Sequence, residues 1–343
     1  MKLDRKVLLF SAIAALLAAA SIPAFDALLV PHVTLLPDQG ASWYYWKLID
    51  PTWITRASAW VPYLIHQVLV WYLIYRLNTS KKRSDDSLSK WNWWLLGVNG
   101  VFIVARFAQT ALFYDGLAQD VSVGSSQYSV IVMLVIILIM KNRWRGLFFG
   151  HKARLPKDGV RVTVMSHSYY IAWAAVYTLW FHPVVSEWAH VIGFFYMFLL
   201  LIQLSMARTR VHVDKYWTLA LESLVLIHGT LVALLTQHSP MWTMFFTGFL
   251  TIFIVTQIYG LGLSKRAIRI ASVAYLVLAA GLYTVYPTGA FSAERLAKIY
   301  QISFIPTIEY LLVFVIAGAM WFVSLLPPVK AKLHPGTSVS AGA

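Results

Sequence analysis

The chain contains no cysteine. That excludes disulfides, thiolate metal sites, cysteine nucleophiles and iron–sulfur clusters. Charge is scarce as well: Asp, Glu, Lys and Arg together make up 12% of the residues, where a soluble domain carries about a quarter. There is no Gly-rich phosphate loop, no Ser-centred nucleophile elbow and no His-x-x-x-His box. Gly260-Leu-Gly262, after Gln257 and Tyr259, reads as the end of a helix and not as a nucleotide loop.

Apolar sequence is abundant. Of 343 residues 59% are hydrophobic, and the mean hydropathy is +0.66. A soluble core of this size could not hide that much apolar surface, whereas lipid can, and apolar stretches near 20 residues recur along the chain. The expected fold is an all-α, polytopic integral membrane helix bundle. About ten transmembrane helices are expected, over residues 6–28, 57–77, 93–114, 128–141, 162–181, 189–207, 216–235, 241–261, 268–286 and 308–326. Residues 1–326 form one transmembrane domain in this reading, and 327–343 a flexible cytoplasmic tail. The fourth span is unusually short. Aromatic groups such as Trp43 to Trp46, and Trp91, Trp93 and Trp94, mark the ends of spans, as in a headgroup-level belt.

Lys and Arg number 28 against 14 acidic residues, a net charge of +14. The basic residues collect in alternate short loops: the N-terminus to Lys6, Lys81 to Arg83, Lys141 to Arg161, Arg208 to Lys215, Lys265 to Arg269, and Lys330 with Lys332. The loops between carry few. This alternation predicts that both termini are cytoplasmic, in a bacterial inner membrane, with the basic loops resting on anionic lipid headgroups rather than on nucleic acid. The composition names no protein partner. Lys2, Arg5 and Lys6, an apolar run and Ala18-Ala-Ala20 also resemble a cleavable signal peptide. The charge pattern, however, needs this stretch as a retained first helix.

Ionisable residues inside spans are costly and point to function. At 1.5 Å per residue, Arg106, His228 and His66 fall at similar depths, roughly 16–20 Å above the cytoplasmic edge, and Glu222 lies lower. They are expected to form a buried pocket open to the non-cytoplasmic side. His66, Arg106 and His228 are its substrate-binding candidates, and Glu222, His228 and Arg106 its catalytic candidates. The turn Phe181-His-Pro-Val-Val-Ser-Glu-Trp-Ala-His190 joins the fifth and sixth spans. Glu187 and His190, at i and i+3, share a helix face, and His182 is held at the same membrane edge. His182, Glu187 and His190, with His228 approaching from below, are therefore candidate ligands for zinc, iron or copper. Haem b is the competing cofactor, including a two-haem arrangement on His167, His182, His212 and His228. The bland counterpart is a first-turn acid favoured by the helix dipole, with histidines at a wet interface.

Three functions are compatible with these residues. One is a membrane-embedded metal- or haem-dependent enzyme or redox protein acting on a lipid or quinone. Another is a secondary transporter of a small anion or lipid-linked solute, using Arg106 and Glu222 or His228. The third is a non-catalytic membrane subunit of a larger complex.

Overall fold

The computed structural model describes residues 3–37, 46–80, 88–235, 242–284 and 293–335. It is all-helical, with isolated bridges at Leu35–Leu48 and Phe148–His151. The helices are α1 (Leu3–Ala20), α2 (Ile22–Leu29), α3 (Trp53–Thr79), α4 (Lys90–Phe113), α5 (Val123–Arg145), α6 (Lys157–Phe181), α7 (Trp188–Ser205), α8 (Lys215–Leu235), α9 (Trp242–Val255), α10 (Lys265–Thr284), α11 (Ala293–Ser324) and α12 (Pro327–Leu333). Among the described residues, eight helical stretches are long and apolar enough to cross a membrane. Each of the ten expected spans has its helix, but α6 and α10 fall outside those eight.

Three boundaries differ from the sequence expectation. α5 has 23 residues and is not a short element: the Ser- and Gly-containing turn before it and the basic turn after it continue the helix. α11 begins at Ala293, so Pro306 lies inside it rather than before it. Proline is tolerated there because neighbouring groups in a bundle can re-satisfy the carbonyl that it leaves without a donor. Pro327–Leu333, expected to be loose, is helical, and Leu333 is buried.

The chain divides into two compact units. The first comprises residues 1–130 and 168–242, and the second 131–167 and 243–343. In the first, α3 packs on α4, and α7 packs on α1, α4 and α8. Helix ends are satisfied by specific side chains, as a low-dielectric setting demands. Ser89 and Asn92 form a capping box at the start of α4. The Asn92 amide nitrogen also donates to the carbonyls of Ser205 (2.7 Å) and Ala207 (3.0 Å) at the end of α7. Arg208, one of the basic loop residues, donates to the carbonyls of Leu77 and Asn78 at the end of α3, where the helix dipole favours a cation. An apolar groove of about 750 Å³ runs between α1, α4 and α7, with Lys6 at one end and Asn99 in its wall.

In the second unit an apolar cluster gathers Val135, Leu138, Ile139, Leu147, Ile252, Ile305, Val313 and Ala317. α6 meets α11 closely at Gly159, where a Cβ would stand 2.3 Å from the Ala317 carbonyl oxygen.

Candidate functional site

The six residues between α6 and α7 set the site. Val184 N donates to Thr110 Oγ1 (3.1 Å), and Ser186 N donates to Asp26 Oδ2 (2.8 Å). Gly116, just after α4, lies against the backbone of Phe181 and His182. These contacts hold His182 facing the first turn of α7. Its ring centroid is 4.5 Å from that of His190, edge to face, and 5.3 Å from Phe194. His182 Nδ1 bonds the Pro183 carbonyl at 3.0 Å. His190 Nδ1 lies 3.5 Å from Glu187 Oε2. The short connection thus sets His182 beside His190, and Glu187 beside His190.

Trp46 covers this pair. Its ring is 4.1 Å from His190 and 5.5 Å from His182, and it is 9% exposed. It is largely buried, where the sequence reading puts it in a headgroup-level belt. Its segment is anchored by Leu48 N donating to Gln119 Oε1 (3.0 Å) and by Leu36 N donating to the Lys47 carbonyl (2.8 Å).

His228 rises on α8 to lie against Gly193 of α7. A Cβ at position 193 would stand 2.6 Å from His228 Cε1. The ring hydrogen-bonds the Ala189 backbone, and its Nδ1 is buried with no hydrogen-bond partner among the described residues. Arg106 on α4 is fully buried. Its Nη1 donates to Gln109 Oε1 and to the Asp115 carbonyl (2.9 Å), and its guanidinium lies 5.3 Å from the Trp180 ring centroid.

His182 is the electrostatic centre of the group. Burial holds its imidazole well below the usual histidine range, and the neighbouring His190, then Arg106 and His228, act in the same direction. The bond to the Pro183 carbonyl opposes them only in part. Burial raises the Asp115 carboxyl, and this outweighs the bonds from Thr55 and the Gly116 backbone and the nearby Arg106. Burial, with the carboxylates of Asp26 and Glu187, pushes the Tyr114 hydroxyl up to about 12. This part of the first unit therefore combines the Arg106 cation, three imidazoles and the carboxyls of Asp26, Asp115 and Glu187.

Two candidates stand apart from this group. His66 on α3 is fully buried. Its Nε2 pairs with Asn99 Oδ1 (2.9 Å), and its Nδ1 accepts from the Trp180 indole (3.3 Å). Asn99 continues to Ser205 Oγ (2.9 Å). With both ring nitrogens used, His66 has none left for a substrate. Trp180 lies between it and Arg106. Glu222, buried on α8, lies within electrostatic reach of Tyr196. This follows from the six-residue offset from His228, which turns the two toward different faces. His167 bonds the Val164 carbonyl of its own helix (2.7 Å), and His212 the Gln203 carbonyl of α7 (2.9 Å).

The described residues contain no group of three or more His, Cys, Asp or Glu side chains arranged to hold a metal ion. His182 and His190 pack as rings under Trp46, and the Glu187 side chain is about half exposed. Sequence reading misses Trp46, Asp115 and Gln67. Gln67 neighbours His66 and is buried, with neither amide atom hydrogen-bonded among the described residues. An uncharged amide in an apolar span was the only signal it offered. Comparison with protein-family models, curated proteins and solved structures finds no match.

Proposed function

We propose that the chain is a ten-span membrane protein that binds an anion together with a proton at the outer pocket of its first unit, as a proton-coupled secondary transporter does. One arrangement supports this: the fully buried Arg106 guanidinium and the packed imidazoles of His182 and His190, with His228 against the same helix, gather in one unit, where burial and these neighbours lower the proton affinity of His182. An anion placed among these groups offsets the unfavourable interactions and raises the proton affinity of the imidazole. By linkage, the proton then raises the affinity for the anion equally. Arg106 supplies the permanent charge, His182 and His228 the exchangeable protons, and Trp46 the cover that an entering ligand displaces. Glu222 serves as a separate buried acid below.

The proposal is tested on the purified protein in weakly buffered detergent solution, with chloride, sulfate, phosphate and a dicarboxylate as probes. At least one should cause proton uptake below about pH 6.5, the ordinary histidine range. The uptake should fade at higher pH, where the imidazole stays neutral even with the anion bound. His182→Ala should reduce it, and His182→Ala combined with His228→Ala should remove it. No uptake with any probe at any pH sinks the reading.

The second reading is a metal-dependent membrane enzyme. It is favoured by the nearness of the His182 ring to His190 (centroids 4.5 Å apart) and of His190 Nδ1 to Glu187 Oε2 (3.5 Å). Stoichiometric zinc or iron in the purified protein, or a haem absorption band, would replace the transporter reading with this one.

The topology in this proposal places both termini in the cytoplasm of a bacterial cell, with α6 and α10 among the spans and the basic loops on anionic lipid. It rests on the alternation of Lys and Arg between loops. A reporter fused after Ala343 should read as cytoplasmic; a periplasmic signal refutes the orientation.

A further inference from the structure

We infer that Glu309 is a proton-exchanging carboxyl buried in the membrane part of the second unit, a site independent of the outer pocket. The placement is unusual. Glu309 lies sixteen residues from the start of α11 and fifteen from its end. Counted from the start of the apolar stretch at Ile299, it sits about 15 Å deep. Ile305, Val313 and Ala317, at i−4, i+4 and i+8, share its helix face. All three belong to the apolar cluster that α11 builds with α5, the segment after it and α9. Glu309 is 1% exposed. Neither of its carboxyl oxygens has a hydrogen-bond partner among the described residues.

An ionised carboxylate in such a place has no donor among the described residues. Leaving it charged among apolar side chains is strongly unfavourable even after relaxation. A carboxylic acid needs only one donor satisfied, and takes its proton with it into the apolar phase. The group is therefore built to hold a proton, and to be ionised only while something carries the charge away.

Few titratable groups border it. Tyr310, the next residue, lies within electrostatic reach of Glu309 and of Arg145 at the end of α5. The Tyr310 hydroxyl pairs with Thr256 Oγ1 (2.7 Å), which donates in turn to the Leu147 carbonyl (2.5 Å). On α10, Tyr275 pairs with Thr251 (2.5 Å). On α6, Asp158 lies 3.5 Å from Arg161 and 3.3 Å from His334. On α5, Lys141 precedes Arg145 by one turn. The α5 and α9 residues that pack with Ile305 and Val313 in the cluster are Val135, Leu138, Ile139 and Ile252, all apolar. The Tyr310–Thr256 hydroxyl pair belongs to the residue next to the acid in sequence.

The alternative is a locked acid with a purely structural role, and the experiment separates the two. The full-length protein in detergent is treated with dicyclohexylcarbodiimide, an apolar reagent that attacks protonated carboxyls, and adducts are mapped by peptide mass spectrometry. Glu309 should be modified. The yield should fall about tenfold per pH unit once the carboxyl ionises. A water-soluble carbodiimide should modify Glu187 and leave Glu309 untouched. In the infrared, the wild type should show a protonated-carboxyl band that shifts on transfer to D2O and is lost in Glu309→Gln but retained in Glu222→Gln. The labelling and the isotope shift are read on the wild type, so they stand even if Glu309→Gln fails to fold. Absence of a Glu309 adduct at every pH, or a Glu309 band that D2O does not move, overturns the proposal.

Discussion

Arg106→Ala is expected to destabilise the protein by about 3–5 kcal/mol and to abolish the coupled binding of anion and proton. The guanidinium is fully buried and donates to Gln109 Oε1 and to the Asp115 carbonyl. Removing it strands those two acceptors, each at about 1–3 kcal/mol, and withdraws the cation that faces the Asp115 carboxyl. It also takes away the contact with Trp180, which reaches His66. Arg106→Lys keeps the charge but not the fork of donors. It should recover part of the anion response and little of the stability. Thermal unfolding in detergent and the proton-uptake assay separate the two. If Arg106→Ala melts within a degree or two of the wild type, the guanidinium is not the strut described here.

Gly116→Ala is expected to destabilise by about 1–3 kcal/mol or more and to displace His182. The added Cβ would stand 2.5 Å from the Phe181 carbonyl oxygen and 2.9 Å from His182 Cα. Both are backbone atoms that no rotamer change can move aside, and overpacking of this kind is resolved by shifting the chain. Position 116 has φ −157°, which any residue adopts, so the penalty comes from contact and not from backbone strain. Gly97→Ala and Gly100→Ala are the controls. At both, nothing lies within 4 Å of the new Cβ, and alanine in a helix interior is favoured over glycine by about 0.5–1 kcal/mol. They should melt at or above the wild-type temperature, with the proton response intact. A Gly116→Ala protein that behaves like the controls would remove Gly116 from the support of His182.

The helices were legible because their cause is local. A run of about 20 apolar residues must satisfy its backbone internally, whatever surrounds it. The convergence of His182 and His190 was legible for a related reason: a six-residue connection leaves the ends of two adjacent helices little choice of place. The boundary of α11 was not. The sequence expectation leaves residues 287–303, with Glu294, Arg295 and Lys298, as a loop and starts the span at 308. The helix instead begins at Ala293 and runs through Pro306, and Glu309 moves from a span's edge to its middle. A misplaced end thereby hid this acid.

The sequence by itself determined an all-helical chain of long apolar helices, and which residues could carry charge into them. Only the tertiary structure decided what those residues face. Trp46 covers a histidine pair from 136 residues away. Asn99 takes His66 out of the pocket by binding it to Ser205. Gly193 admits His228 to the wall of α7. The physical reason is the reach of each interaction. Hydrophobic burial in lipid acts on a whole segment and is readable as a pattern. A hydrogen bond or a ring contact acts over a few ångströms between residues that only the packing of helices brings together.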